Sequence, residues 1–374
     1  MGSLSNKLPD ELLEEILVNL SIPSILNFKR VSKSWFNLLS SPCFLHLHSL
    51  TYHSPTQPFI LFHPFFDRRH RIFTVSLKHH ERIIQLRELP HSSSFMPKMV
   101  KCSNGILCIL TYGGTFYIVN PATGQSTHLP HIHGMPVMHF GFYFDPQNRK
   151  FKVIAVQIQR VISVHKVFDS TIRKWVEPIE ARLSGLQELI SIGRTCYIYN
   201  RFHTVDLIAF DMVKEELEII PAPIQKEWND LVAVLEWDGC ISIAVVSHSL
   251  ELRLWALRKE KTWEKVVDAD LGELRLRRGG ETGYPYPEVV VGNDILMAFG
   301  SQIISYGIES GRLNALSLSE NELYLGDYIS CKPTLLSWEY EEEEPSCPNA
   351  KRTRYLPSCL SENELYPGEG LHNF

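Results

Sequence analysis

The stretch that decides the fold of the N-terminal region reads Leu8-Pro9-Asp10-Glu11-Leu12-Leu13-Glu14-Glu15-Ile16-Leu17, followed by Leu20, Ile25 and Val31-Ser32-Lys33-Ser34-Trp35. Leu12, Ile16 and Leu20 recur every four residues, which predicts a helix of about three turns with one apolar stripe. Glu11 and Glu14 lie in or near its first turn, where the helix dipole favours negative charge. The pattern is therefore typical of an amphipathic helix.

Two further helices are expected directly after it. Pro23 suits the first position of the second helix. Ser32 is expected to cap the start of the third, and Ser41-Pro42 to end it. A three-helix module of roughly 40 residues is near the lower limit for an independent core. It also has more large apolar side chains than so small a bundle can bury. The surplus either packs on the following domain or docks on another protein, and the second interpretation is favoured because helix stripes are a common recognition surface.

The order and spacing of these residues strongly resemble the F-box. That resemblance implies docking on a Skp-family adaptor and, through it, on the cullin and RING subunits of a ubiquitin ligase. Carried over by position, the residues that the resemblance assigns to adaptor binding are Leu8, Pro9, Leu12, Ile16, Leu17, Leu20, Ile25, Val31 and Trp35. It implies direct contacts with the adaptor from the first six, and a mixed core and contact role for the last three. In many members a proline follows Leu20 directly; here it is Pro23, which we expect to adjust the turn without abolishing docking.

Composition predicts a reducing compartment. The chain has 374 residues, of which 44% are hydrophobic and 21% charged, as in ordinary globular proteins. No apolar run resembles a signal peptide or approaches a membrane span, so no membrane partner is expected. The eight cysteines are scattered without a Cys-x-x-Cys pair. Such cysteines are expected to be reduced thiols, which favours the cytoplasm, the nucleus or both.

Charge is concentrated at one end of the chain. Residues 339–374 hold eight glutamates and three basic residues, which accounts for the whole formal net charge of −5. The remaining chain is balanced. A neutral body argues against nucleic acid as the ligand, because phosphate binding needs a concentrated basic face. The acidic tail is predicted to be disordered.

After the helices, the periodicity becomes that of strands. A pattern of strand, polar turn and strand, often followed by a proline, recurs at intervals of 42 to 51 residues, as expected for four-stranded propeller blades. The turn centres are Lys78, Asn120, Asp169, Asp211, Arg258 and Glu309. This spacing predicts about six blades, with a two-sheet sandwich as the alternative.

The same region resembles the plant F-box-associated domain, a relative of kelch-type propellers. The resemblance is carried by Ser103-Asn104-Gly105, Asn120-Pro121-Ala122-Thr123-Gly124, Phe140-Gly141-Phe142-Tyr143-Phe144-Asp145-Pro146, Trp255 and Trp263. The glycine pairs of true kelch repeats do not recur in phase, so the domain is kelch-like only. The expected fold class is an α+β multidomain chain. Its three parts are an F-box at 1–48, an all-β propeller-like domain at 49–338 and an acidic tail at 339–374.

Few residues resemble a catalytic or metal site. His131, His133 and His139 have no cysteine or carboxylate at ligand spacing, so neither a metal nor another cofactor is expected. No cysteine is marked as a nucleophile, and no catalytic residue is predicted. Tyr284 and Tyr286 lie in a segment that is predicted to be an exposed loop between blades. The two tyrosines are candidate substrate-binding anchors, and the alternative is that the segment is only a structural turn.

The predicted function is therefore that of a non-catalytic substrate-recognition subunit of an SCF (Skp–cullin–F-box) ubiquitin ligase. In this interpretation the F-box binds the adaptor and the β domain binds an unknown target protein. Two alternatives stay open: a glycan-binding, lectin-like F-box protein, and an adaptor-bound regulator without a ubiquitylated target.

Overall fold

The structure is a computed structural model. It describes residues 10–51, 59–64, 71–78, 83–88, 95–159, 162–177, 183–184, 188–200, 204–224, 230–276, 284–300, 302–318, 326–331 and 333–338. Leu8, Pro9 and the predicted acidic tail lie outside the described residues.

The N-terminal region forms four helices where the sequence predicts three. They are α1 (Asp10–Leu17), α2 (Ile22–Phe28), α3 (Lys33–Ser40) and α4 (Pro42–Thr51). The predicted cap is confirmed, because the Ser32 hydroxyl accepts a hydrogen bond from the Trp35 amide at 3.2 Å. Ser41-Pro42 ends α3 as expected, but it also begins α4. Proline fits the first turn of a helix, and the Ser41 hydroxyl accepts from the Phe44 amide at 3.2 Å.

The rest of the described chain is almost entirely strand. The first thirteen strands are β1 (Phe59–Pro64), β2 (Phe73–Lys78), β3 (Ile83–Glu88), β4 (Pro97–Ser103), β5 (Ile106–Thr111), β6 (Phe116–Val119), β7 (Ser126–His128), β8 (Val137–Asp145), β9 (Lys150–Gln159), β10 (Ile162–Asp169), β11 (Lys174–Val176), β12 (Leu183–Ser184) and β13 (Glu188–Ile192).

The later elements are β14 (Thr195–Asn200), β15 (Thr204–Asp211), β16 (Glu216–Ile220), β17 (Leu231–Trp237), β18 (Cys240–Val246), β19 (Glu251–Leu257), β20 (Trp263–Asp270), the short helix α5 (Glu273–Leu276), β21 (Tyr286–Val291), β22 (Asp294–Phe299), β23 (Gln302–Gly307), β24 (Leu313–Leu318) and β25 (Gly326–Cys331).

Within the described residues these strands form five sheets arranged as a propeller. Three sheets have four strands in simple order: β4 to β7, β13 to β16 and β17 to β20. Strands β8 to β11 form another, with β12 added beside β10. The last sheet has eight strands, in the order β21-β22-β23-β24-β3-β2-β1-β25. The strands β4, β8, β13, β17, β21 and β25 contact one another in a closed ring around the axis.

The blade count differs from the prediction. Counted as separate sheets, the described domain has five blades where the sequence predicts about six. Each predicted turn centre does lie in or next to the link between two strands of an antiparallel unit. However, β24 pairs in parallel with β3 through Ser317 and Leu318, which joins two four-stranded units into one sheet. Such an edge contact cannot be read from local periodicity.

The ring closes through strands from opposite ends of the domain. Strand β25 pairs antiparallel with β1 over six residue pairs, from Phe59 opposite Cys331 to Pro64 opposite Gly326. The last described strand therefore completes the sheet that the first strand begins. This closure leaves the chain after Cys331 at the same end of the propeller as the start of β1.

The two ends of the propeller are distinguished by strand direction. We call the end at which the ring strands begin the entry end, and the end at which they finish the helix end. The helical module joins the helix end by two connections. Residues 52–58 lead from α4 to the start of β1. Residues 333–338 pack in one buried cluster with residues of α1 to α4 and with strands β5, β6, β8 and β9.

Candidate functional site

The outer surface of the helical module carries exposed apolar side chains. On α1, Leu12 and Ile16 are 47% and 54% exposed, and they lie one turn apart on the same face. Val31, in the turn before α3, and Phe36, on α3, are also exposed. Several exposed apolar side chains within so short a helical module are typical of a protein-binding surface. These four side chains are therefore a candidate docking surface.

Other residues of the predicted adaptor set lie inside the module. Leu17 is 2% exposed and Ile25 is fully buried, so both hold the helices together in this chain. Leu20 and Trp35 are half-buried, and the Trp35 ring packs edge-on against Phe28 at 5.2 Å between centroids. The sequence pattern groups core and surface residues because helical spacing identifies a stripe without showing which part of it the neighbouring helices cover.

Phe36 is a surface residue that the sequence analysis missed. It is adjacent to Trp35 on α3 and 53% exposed, whereas Leu39 on the same helix is fully buried. Helical spacing did not single it out, because Phe36 and Leu39 are three residues apart and lie on the same side of α3. Phe36 therefore joins Leu12, Ile16 and Val31 as an exposed candidate for partner contact.

Asn120 fixes on the propeller the segment 333–338, which shares a buried cluster with the helical module. Its side chain is fully buried and donates hydrogen bonds to the carbonyl oxygens of Thr334 at 3.0 Å and Leu336 at 2.8 Å. Its side-chain oxygen accepts from the amides of Ala122 and Thr123 at 2.8 and 3.2 Å. The side chain thereby holds the β6–β7 turn and residues 333–338 in one arrangement.

Arg149 makes a second contact of the same kind. Its Nε donates to the Ser337 carbonyl oxygen at 2.8 Å, and its guanidinium also donates to the Ser337 hydroxyl. Trp338, the last described residue, packs edge-on against Phe151. Residues 333–338 are thus fixed by polar and aromatic contacts from two sheets, which gives the helical module a defined base.

The predicted target anchors are partly buried. Tyr286 is the first residue of β21 and pairs with Ala298, so this position is strand and not exposed loop. Tyr284 packs beside the same core, with its ring 5.4 Å from that of His248. Residues 277–283, which include most of the predicted loop, lie outside the described residues. A substrate-binding role for the two tyrosines stays a prediction.

The buried thiols are poorly suited to nucleophilic chemistry. Burial raises the pKa of Cys108 well above its usual range and raises that of Cys196 to about 12. The pKa of Cys331 is also raised, by a hydrogen bond with Cys102 and by burial. Because the thiolate is the nucleophile, these cysteines are held in their unreactive form.

The described residues show neither a metal cluster nor a membrane helix. His131 and His133 lie with their rings 5.5 Å apart, but no group of three potential ligands among the described side chains could hold a metal ion. No described helix is both long and apolar enough to cross a bilayer.

Comparison with known families identifies the class. Residues 6–47 match the F-box domain, and residues 61–271 match the F-box associated beta propeller domain. The second match covers more than half of the chain. The protein therefore combines an F-box with a propeller domain, and it belongs to the family of F-box proteins with an F-box associated beta propeller domain.

Similar proteins in Arabidopsis thaliana are described as F-box proteins. The F-box protein At5g49610 is 24% identical over 334 residues, which cover 80% of this chain and 88% of that protein. The F-box protein At2g14710 is 29% identical over 183 residues, and there the match spans 47% of this chain and only 44% of the relative. Among solved structures, one from a nidogen/laminin complex covers 74% of this chain and 99% of its own, with 8% identity and a TM-score of 0.47.

Proposed function

We propose that this protein is the substrate-recognition subunit of an SCF-type ubiquitin ligase. The helical module docks on a Skp-family adaptor, and the adaptor links it to cullin and RING subunits. The propeller holds a target protein. The observation that carries this proposal is the pairing of a family-matched F-box, whose helices expose Leu12 and Ile16, with a separate β domain fixed behind it.

Exposed helix residues favour a partner on the outer side of the module. The core of the helices is complete without Leu12 or Ile16, because Leu17, Ile22 and Ile25 fill it. The exposed side chains therefore add little to folding. Covering them with a partner removes apolar surface from water, which favours association at about 25 cal/mol per Å² before the costs of binding.

The contribution of the chain to ubiquitylation is positional. Holding a target and the adaptor on one rigid body raises the local concentration of the target near the ubiquitin-carrying subunit. No chemical step needs a side chain of this protein. We infer that it works in the cytoplasm, the nucleus or both, where the ligase subunits and reduced thiols occur together.

Co-purification with a Skp adaptor tests the proposal. The variant Leu12→Ser with Ile16→Ser removes two exposed apolar side chains and leaves the buried Leu17 and Ile25 in place. We expect it to weaken adaptor binding by tenfold or more while circular dichroism and the melting temperature stay close to those of the parent protein. The measurement is the dissociation constant in a pull-down titration.

A matched control uses apolar residues of similar exposure in the β domain. Ile172 and Val213 are 52% and 51% exposed and lie in turns of two different sheets. Ile172→Ser with Val213→Ser should bind the adaptor as the parent does. Equal binding by the helix variant and the parent protein, or no adaptor binding by the parent, would overturn the proposal.

A further inference from the structure

The entry end of two neighbouring sheets carries a second group of exposed apolar side chains. Met96, Met135 and Met138 are all exposed, and they are the only exposed methionines among the described residues. Tyr112 is exposed beside them. Methionine is flexible and polarisable, so methionine-rich surfaces adapt to varied apolar partners, and tyrosine is a frequent anchor in interfaces.

Hydrogen bonds bring these residues together from distant parts of the sequence. The Tyr112 amide donates to the Met96 carbonyl oxygen at 3.2 Å, which joins the end of β5 to the start of β4. Lys98 on β4 donates through Nζ to the Val137 carbonyl oxygen at 3.0 Å, which joins β4 to the start of β8. The start of β8, where the β7–β8 connection ends, therefore lies beside the start of β4.

The same connection is also held by the next sheet. The Gln157 side chain donates to the carbonyl oxygens of Met135 and His133, and Lys166 donates to the His133 carbonyl oxygen at 2.7 Å. We call the exposed side chains at this end the methionine–histidine surface. Its members are Met96, Tyr112, His131, His133, Met135 and Met138.

This surface is almost free of negative charge. Residues 89–144 contain no aspartate or glutamate, although the average for the chain would place about six there. At this end of the two sheets Glu177 is the only acidic residue that the structure describes. Lys98 and Lys166 each use Nζ on a backbone carbonyl, and an ammonium group has three donors, so each retains donors for a ligand.

Charges at the opposite end of the propeller are arranged differently. There Lys152 lies 3.2 Å from Asp169 and also pairs with Glu215, and Arg194 lies 3.1 Å from Asp211. These ion pairs neutralise part of the positive charge near the helical module, whereas Glu177 is the only described carboxylate at the entry end of the two sheets. The unbalanced positive charge lies beside the exposed apolar group.

We propose that the methionine–histidine surface binds an unstructured segment of a target protein that combines acidic residues with large apolar side chains. The apolar side chains pack on the methionines and Tyr112, while the carboxylates approach Lys98, Lys166 and the exposed histidines. The inference rests on the proposed receptor function and deepens it by naming the surface and the chemistry of the target. Charge complementarity selects this partner over a basic or neutral one.

The position of the surface fits this role. The helical module is connected at the helix end, where the ring strands finish, and the methionine–histidine surface lies where they begin. A target segment can therefore bind without competing with the adaptor for space on the chain. Both partners can be held at once, which the receptor function requires.

Selection from a library of random dodecapeptides tests the proposal on the full chain bound to its adaptor. We expect the enriched peptides to carry net negative charge together with large apolar residues. The strongest peptide should bind at least tenfold more weakly to Met135→Ser with Met138→Ser, and to His131→Glu with His133→Glu. Fluorescence anisotropy gives the affinities, which should fall with added salt because the charges are solvent-exposed.

Controls separate this proposal from the receptor function. Ile172→Ser with Val213→Ser should retain peptide binding, and the surface variants should still bind the adaptor. Enriched peptides without acidic residues, or equal losses in the surface and control variants, would overturn the proposal and leave adaptor docking untouched. A large gain in peptide affinity after truncation at Trp338 would overturn it in favour of the chain's own acidic tail as the occupant.

Discussion

At the scale of single residues, Asn120 shows how one amide can hold together distant parts of a chain. It is a buried side chain whose donors and acceptor all have partners, and those partners lie both in its own turn and more than 200 positions away. An asparagine in the pattern Asn-Pro-x-x-Gly is predicted from sequence to form a turn. Its contact with Thr334 and Leu336 could not be predicted, because no local pattern encodes a partner so distant in the chain.

Replacing Asn120 with aspartate tests how much the two donated hydrogen bonds stabilise the protein. The carboxylate keeps the acceptor but loses the two donors, and it faces the carbonyl oxygens of Thr334 and Leu336. We expect a loss of about 2–4 kcal/mol in the free energy of unfolding at pH 7. Burial raises the pKa of such a carboxyl in the folded state above its unfolded value. The deficit relative to the parent should therefore shrink as pH falls through the folded pKa.

Chemical denaturation across a pH series measures this effect. Asn27 is exposed on α2, so Asn27→Asp should change the free energy of unfolding by no more than about 0.5 kcal/mol. An Asn120→Asp protein as stable as the parent at pH 7 would show that the two donated hydrogen bonds do not hold residues 333–338 in place.

Cys196 provides a second test at this scale. Burial raises its pKa to about 12, so at pH 7 to 9 almost all of it is the thiol in the folded protein. Cys43 is exposed on α4. In the native protein, iodoacetamide should therefore modify Cys43 much faster than Cys196, and both should react in denaturant. Peptide mass spectrometry over time measures the rates, and fast native labelling of Cys196 would contradict the buried arrangement.

At the scale of elements, a tryptophan–proline contact recurs between neighbouring sheets. Trp175 on β11 donates through Nε1 to the Pro130 carbonyl oxygen at 2.9 Å, and Trp263 on β20 donates in the same way to Pro221 at 2.8 Å. In both cases the proline follows the outer strand of the preceding sheet. The proline that recurs in the sequence pattern thus marks the point at which one sheet is hydrogen-bonded to the next.

Trp→Phe substitutions should remove this hydrogen bond while retaining an aromatic ring. Each of Trp175→Phe and Trp263→Phe should cost about 1 kcal/mol, the net value of one hydrogen bond. Because a whole sheet separates the sites, the two losses should add in the double variant. Urea denaturation midpoints give the comparison. A double variant no less stable than either single one would mean that the contacts are not independent.

Local patterns predicted the elements well and their lateral contacts poorly. The turn at Asn120 and the cap at Ser32 are where the sequence places them, because both depend on neighbouring residues. Helix α4 was missed because Pro42 was read only as the end of α3. The contact of β24 with β3 was missed because it joins strands more than 200 residues apart. The candidate site follows the same division, since the predicted set includes the exposed Leu12 and Ile16 together with the buried Leu17.

At the scale of the whole molecule, one segment takes part both in closing the ring and in the packing of the helices on the propeller. Strand β25 pairs with β1, and residues 333–338 then run to Asn120, Arg149 and the helical cluster. The same piece of chain therefore closes the propeller and sets the base of the docking module. Damage here should affect folding and adaptor geometry together.

Two truncations test this dependence. A chain ending at Trp338 keeps the closing strand and its contacts, so we expect it to melt within a few degrees of the parent and to bind the adaptor equally well. A chain ending at residue 325 leaves one edge of β1 without its partner and exposes the core that Ile329 and Cys331 fill. It should be aggregated or largely unfolded by size-exclusion chromatography and circular dichroism. If instead the shorter chain melts cooperatively at the parent temperature, β25 is not required for closure, and the helical module must be held by contacts other than those of residues 333–338.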